Sequence, residues 1–251
     1  MFEPDHPSGG SARPNVIRGD DAARVRLAEA GIVTSTSMAQ ARPLTLPGAL
    51  GAIALVAGVA AITGTLTPYA STHLPGSINS VANSSGPWAM IAFASVYLSR
   101  ARGLFAALLG ATSFLVMNVF FFVAFERRLG PYSLDAIGFW IGVGIVVGPI
   151  IGLCASWLRS PATILREIGV AAPGSVLIGE GLFMVIEQPG LSPAYAHASV
   201  VVGIVLFLAL AVWRLGRIDR VLISAALCTA FTVAFYLSYS LMPLLFNRSA
   251  P

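Results

Sequence analysis

LFAALLGATSFLVMNVFFFVAF, residues 104–125, contains no charged side chain and lies between Arg100 and Arg102 on one side and Glu126, Arg127 and Arg128 on the other. A helix rising 1.5 Å per residue needs about 20 such residues to cross roughly 30 Å of hydrocarbon. Blocks of the same kind recur along the chain and place spans at about 47–66, 81–99, 104–125, 137–158, 168–186, 197–213 and 221–243. Only helical bundles and closed barrels satisfy their backbone polar groups in lipid, and the period-2 alternation that a barrel strand needs is absent. The fold expected is therefore all-α, a polytopic transmembrane bundle of about seven helices.

Composition agrees. Hydrophobic residues make up 56% of the 251 residues and charged residues 10%, with a mean hydropathy of +0.81, a balance that water could not solvate. The net charge of +4 comes from 15 basic residues, all arginine, against 11 acidic ones. Such arginines read as topology determinants, so nucleic acid is not an expected partner and the lipid bilayer is. The absence of lysine excludes a Walker A loop and a retinal Schiff base, whatever the helix count. Cys154 and Cys228 fall inside apolar blocks without C-x-x-C spacing and read as small buried hydrophobes.

Residues 1–44 read as a polar cytoplasmic tail, 45–243 as the bundle and 244–251 as a short C-terminal tail. The N-terminal segment is too long and polar for a signal-peptide n-region, and Met38 is an alternative start to Met1. Arg24, Arg26 and Arg42 sit where anionic headgroups could attract them. The second span is the weak one, because its apolar part extends only from Pro87 to Ser99. With seven spans and the N-terminus inside, Arg100, Arg102, Arg159, Arg166, Arg214, Arg217 and Arg220 are cytoplasmic, while Arg127, Arg128 and Arg248 are outside. Dropping the second span reverses that bias, so seven spans, N-in and C-out, is the orientation expected.

Glu180 is the one acidic residue well inside an expected span, roughly 9 Å below the outer boundary. An intramembrane carboxylate must be neutral, paired or wetted, which makes it either a site or a hydrogen-bonded structural group. Thr63, Thr65, Asn118, Tyr236 and Tyr239 come out at similar depth and with Glu180 define a candidate outward-facing polar pocket; the alternative is that each satisfies a local hydrogen bond. In Asn83-Ser84-Ser85-Gly86-Pro87-Trp88, Asn or Ser can cap a helix, Pro87 suits a first helical turn and Trp88 the headgroup level; the same loop could instead close over a ligand. Gly144, Gly148 and Gly152, with Pro149, let a neighbouring helix approach closely, and Pro173 with the glycines flanking Glu180 suggests a second helix bent around a cavity. Ala57, Gly58 and Ala61 offer a small-residue face for a helix of this chain or of a partner subunit.

No catalytic constellation is present. Ser175 and His197 lack the flanking pattern of a rhomboid-like protease, and His6, His73 and His197 are too isolated to hold a metal. Neither catalytic residues nor a cofactor are expected.

The N-S-S-G-P-W segment running into A-M-I-A-F, R-A-R-G-L-F-A-A-L-L-G, Phe139-Trp140, V-G-P-I-I-G-L around Pro149 and I-G-E-G-L around Glu180 resemble an uncharacterised family of actinobacterial multi-spanning membrane proteins, a domain of unknown function, over about residues 48–186. The resemblance implies a bacterial plasma membrane and no biochemical activity. Two functional readings stand: a transporter-like or solute-binding component holding a small polar solute, and a non-catalytic accessory protein that binds a partner membrane subunit through its Gly/Ala-rich faces.

Overall fold

A computed structural model describes residues 45–131 and 133–246, with the side chains of 134, 135 and 242–246 left aside. The tail 1–44, with Arg24, Arg26, Met38 and Arg42, and Arg248 near the C-terminus lie outside the described residues. Among those described, the protein is all-α and has no strand. The helices are α1 (Leu46–His73), α2 (Ser85–Ser99), α3 (Gly103–Leu129), α4 (Leu134–Trp157), α5 (Thr163–Glu187), α6 (Pro193–Arg214) and α7 (Ile218–Phe246), with a 3₁₀ turn at Asn79–Val81 before α2. All except α2, six in number, are long and apolar enough to cross a membrane. They outrun the apolar blocks because the backbone hydrogen-bond ladder continues after the side chains have become polar.

α2 is the exception, with 15 residues and a length of about 22 Å. The chain nonetheless traverses the bundle between α1 and α3. Those two helices run parallel: Gly64 faces Met117 and Phe121, and at the shared end Arg128 of α3 donates to Thr72 Oγ1 (3.0 Å) and lies over the Tyr69 ring. Parallel neighbours need a return path, which α2 and the loop before it supply.

The bundle has two sides. α3 packs against α1 and α4, α5 packs against α6 and α7, and α2 lies between the two groups. α5 is the most buried of the long helices and α7 the least. Gly110, Gly148 and Gly152 bring α3 and α4 into backbone contact; a Cβ on Gly110 would overlap the Gly148 carbonyl and one on Gly152 the Ala106 carbonyl. Gly174 and Gly203 do the same for α5 and α6. Gly144 rests against Phe114 on the same face. Both α4 and α5 continue as helices through Pro149 and Pro173.

Two arginines at one end of the bundle cap helices. Arg214, at the end of α6, donates from Nε and Nη2 to the carbonyl of Leu158 (3.0 and 2.7 Å), which caps α4. Arg159, in the link from α4 to α5, donates to the carbonyls of Tyr97 and Ala101 (3.0 Å to the latter), at the C-terminal end of α2, and stacks on the Tyr97 ring. A cation at a helix C-terminus meets the negative end of the dipole and fills orphan carbonyls. Burial, with the charges of Arg102, Arg100 and Arg214, draws the Arg159 pKa below the usual arginine range. Arg159→Met should destabilise the full chain by about 1–3 kcal/mol, read from the midpoint of unfolding in mixed micelles. Lysine should restore less than half, since a point charge cannot fork to two carbonyls; full rescue by lysine would show that charge alone matters.

Candidate functional site

At the other end, α2 begins not at the surface but beside Glu180 of α5. That residue lies seven positions before the end of its helix at Glu187, about 10 Å down its axis. The carboxylate is 2% exposed and accepts four hydrogen bonds: from Ser84 Oγ (2.5 Å) and Ser85 Oγ (2.8 Å) at Oε1, and from Gly86 N (3.0 Å) and Tyr195 OH (2.6 Å) at Oε2. Tyr239 OH donates in turn to Ser85 Oγ. Converging donors on both oxygens suit an acceptor-only group. Gly86 is the residue this approach requires, because a Cβ there would overlap Glu180 Oε2.

Glu180 thus provides from α5 the cap that the sequence assigns to Asn83 or Ser84. Ser84 occupies the N-cap position of α2, but its side chain makes no cap bond to that helix and serves Glu180 instead. Pro87 falls in the first turn as expected. Trp88 donates from Nε1 to Ala82 O (3.2 Å) and meets the Phe121 ring edge-on. The short helix is therefore held by a buried anion at its positive end and by Arg159 at its negative end, both favourable to the dipole.

The loop 74–84 fills the distance that α2 does not span. Residues 75–78, 81 and 83 of it are exposed, and the non-helical backbone is held by hydrogen bonds to a neighbouring turn. Ser192, 1% exposed and held at φ 47°, latches it: its hydroxyl donates to Asn79 Oδ1 (2.6 Å), lies 2.9 Å from Gly76 O, and accepts from Ser80 N (3.2 Å). Tyr195 N donates to Ser77 O (3.1 Å) and extends the latch onto α6.

Two adjoining cavities meet this cluster. The smaller, about 300 Å³, lies under the latch and is lined by Ser80, Asn83, Ser85, Glu180, Gln188 and Tyr239 among others; Gln188 is exposed, so it reaches the surface. The larger, about 750 Å³, shares Asn83, Ser84, Ser85, Trp140 and Tyr239 with it and continues between α4 and α7 over a floor of α2, α3 and α5. Its wall on α4 extends from Phe139 to Trp157, roughly 25 Å along the helix, and is almost wholly apolar. Ser175 and Ser238 also line this cavity but donate to Ala172 O and Ala234 O of their own helices, whereas Asn118 Nδ2 donates to Phe114 O (2.8 Å) and leaves the rest of the amide's bonding capacity to the cavity.

The residues grouped in the sequence as a candidate pocket separate in three dimensions. Tyr239 lines both cavities, Asn118 the larger and Glu180 the smaller. Tyr236 lines neither; its hydroxyl donates to Glu187 and its ring packs on Phe183. Thr63 and Thr65 donate to Val59 O and Ala61 O of their own helix, the local alternative that any helical threonine offers. Equal depth did not imply a shared face. Tyr195, Ser192 and Glu167 fall outside the expected spans, which begin at 197 and 168. Glu167, near the start of α5, is 1% exposed and pairs with Arg220 (3.1 Å).

Over residues 43–244 the chain matches the family described as Family of unknown function (DUF6518), and it belongs to that family. The match extends well beyond the residues whose motifs suggest a resemblance. No curated protein and no solved structure matches the chain.

Proposed function

From that membership, which assigns no activity, and from the site itself, we propose that this DUF6518 protein is a multi-pass bacterial plasma-membrane protein that binds a solute from its outer end, as a transporter-like or solute-binding component and not as an enzyme. The observation that carries the reading is the placement of polar residues. Asn83, Ser85 and Tyr239 gather where the two cavities join, at the end of the bundle opposite the arginine-capped links, and Asn118 lines the larger cavity that continues from there. A concave, largely apolar space with a few convergent polar groups is the usual form of a small-molecule site, and its volume falls within the common range. Seven arginines in the links at one end, against Arg127 and Arg128 at the other among the described residues, support an N-in, C-out orientation with the junction facing outward.

Native mass spectrometry of the full chain, released gently from its own membranes, tests this. A co-purified small molecule at about one per chain is expected, with occupancy falling about tenfold in Asn118→Leu, the loss that about 1.4 kcal/mol of binding energy entails. Identical bound molecules in wild type and variant would remove the binding reading.

One observation favours the accessory alternative. Gly51 and Gly58 of α1 have nothing within 4 Å, so a small-residue face points away from the bundle and could receive a partner helix. Tryptophan at Gly58 would then break a complex in mild detergent while leaving solute occupancy unchanged.

A further inference from the structure

We infer that the ligand is an uncharged amphiphile, its hydrogen-bonding head between the cavity junction at Asn83, Ser85 and Tyr239 and Asn118 of the larger cavity, and its apolar chain along that cavity between α4 and α7. The inference rests on the binding reading above and narrows it to a chemical class.

Charge decides the head. Among the described residues no arginine or histidine lines either cavity, and the carboxylate on the walls, Glu180, already accepts four hydrogen bonds from the protein. A phosphate brought there would lose its hydration, find no cation and face that carboxylate, and an unpaired buried charge opposes binding. A cationic head would find no free carboxylate lone pair to replace its water. Neutral donors and acceptors are what remain. The Asn83 side chain, exposed at the mouth, lines both cavities with no protein partner among the described residues, and the buried Asn118 uses one hydrogen of its amide. These groups suit a hydroxyl, an ester carbonyl or a ring carbonyl.

The walls decide the tail. Beyond Asn118 the space runs past Val147, Ile151 and Cys154 to Trp157, with Phe231 and Ala234 opposite. A wholly polar solute would leave that surface uncovered, whereas a hydrocarbon chain gains from each CH₂ that it buries there, more when it comes from water than from lipid. The head therefore supplies selectivity and the chain supplies fit.

The protein contains its own reporters. Of its four tryptophans, Trp88, Trp140 and Trp157 line the larger cavity, while Trp213 on α6 is 61% exposed. The full chain carrying Trp213→Phe would be placed in nanodiscs of saturated phosphatidylcholine and titrated with three amphiphiles with the same brominated chain: a monoacylglycerol, a phosphatidylglycerol and a quaternary-ammonium lipid. The monoacylglycerol is expected to quench to saturation at a mole fraction about tenfold below the other two. Ala234→Phe should abolish that difference by filling the chain's path, and Val147→Phe serves if the first variant does not fold. Saturable quenching that favours a charged head would overturn the uncharged class and leave the binding reading standing. Equal, non-saturating quenching by all three, unchanged by either variant, would leave only bulk lipid around the bundle and remove both.

Discussion

Glu180→Leu should lower the stability of the bundle by about 4 kcal/mol, read as the shift in the unfolding midpoint of the full chain in mixed micelles. The estimate follows from what stays behind. Ser84, Ser85, Gly86 N and Tyr195 all aim donors at a carboxylate that is 2% exposed. Each stranded donor costs roughly 1–3 kcal/mol, and breaking a buried charged arrangement by removing one partner typically costs 3–5 kcal/mol. Relaxation of the serine hydroxyls toward nearby carbonyls would recover part of this. Glu180→Gln should fall between leucine and wild type, because one amide oxygen can still accept while its NH₂ confronts donors. A wild-type midpoint for Glu180→Gln would show that the anion is dispensable and return Glu180 to the list of groups available to a ligand. Amide exchange should localise the damage to the start of α2 and the loop 74–84, the segment that the carboxylate holds.

Gly110→Ala is the second large effect, about 3 kcal/mol of destabilisation at the upper end of ordinary overpacking. Its added methyl would overlap the carbonyl of Gly148, which is backbone and cannot rotate away as a side chain could. α3 and α4 must separate, and the contacts of Gly148 with Ala111 and of Gly152 with Ala106 are lost together. Gly58→Ala supplies the contrast. It has nothing within 4 Å, so the same change should be neutral, or stabilising by up to about 1 kcal/mol through helix propensity. Equal responses at the two positions would sink the account of glycine as the contact between these helices.

Much of the architecture was legible in the sequence for a plain reason. Lipid permits no irregular backbone against it, so a charge-free block of about 20 residues has few structural options. The six long helices coincide with six of the seven blocks and extend past them at both ends, except that the helix Leu134–Trp157 stops one residue short of its block's C-terminal end. The seventh block, whose apolar part is short, is also where the helix is short, and what the sequence treats as its first turn at 81–84 is loop. Gly144, Gly148 and Gly152 were legible as a packing face because their spacing repeats the helix period.

The site was legible only in pieces. Glu180 and the Asn83–Trp88 segment stand out separately, each by a rule that concerns its own neighbourhood: an acid at membrane depth, and a cap signal before an apolar run. Nothing within either stretch indicates that one caps the other across 96 residues of chain. Thr63 and Thr65 share the depth of Glu180 but bond within their own helix, since depth follows from counting residues whereas facing depends on rotation about an axis. What the sequence determined by itself is what lipid dictates locally: the number of apolar blocks, their helical state and the basic links between them. Only the tertiary structure decided that a helix of 15 residues could serve in the bundle, because the groups completing it, Glu180 at one end and Arg159 at the other, belong to different elements and meet it only when all of them pack. The cavity beside it was decided in the same way, by the space that remains between α4 and α7 once α2 and α5 form its floor.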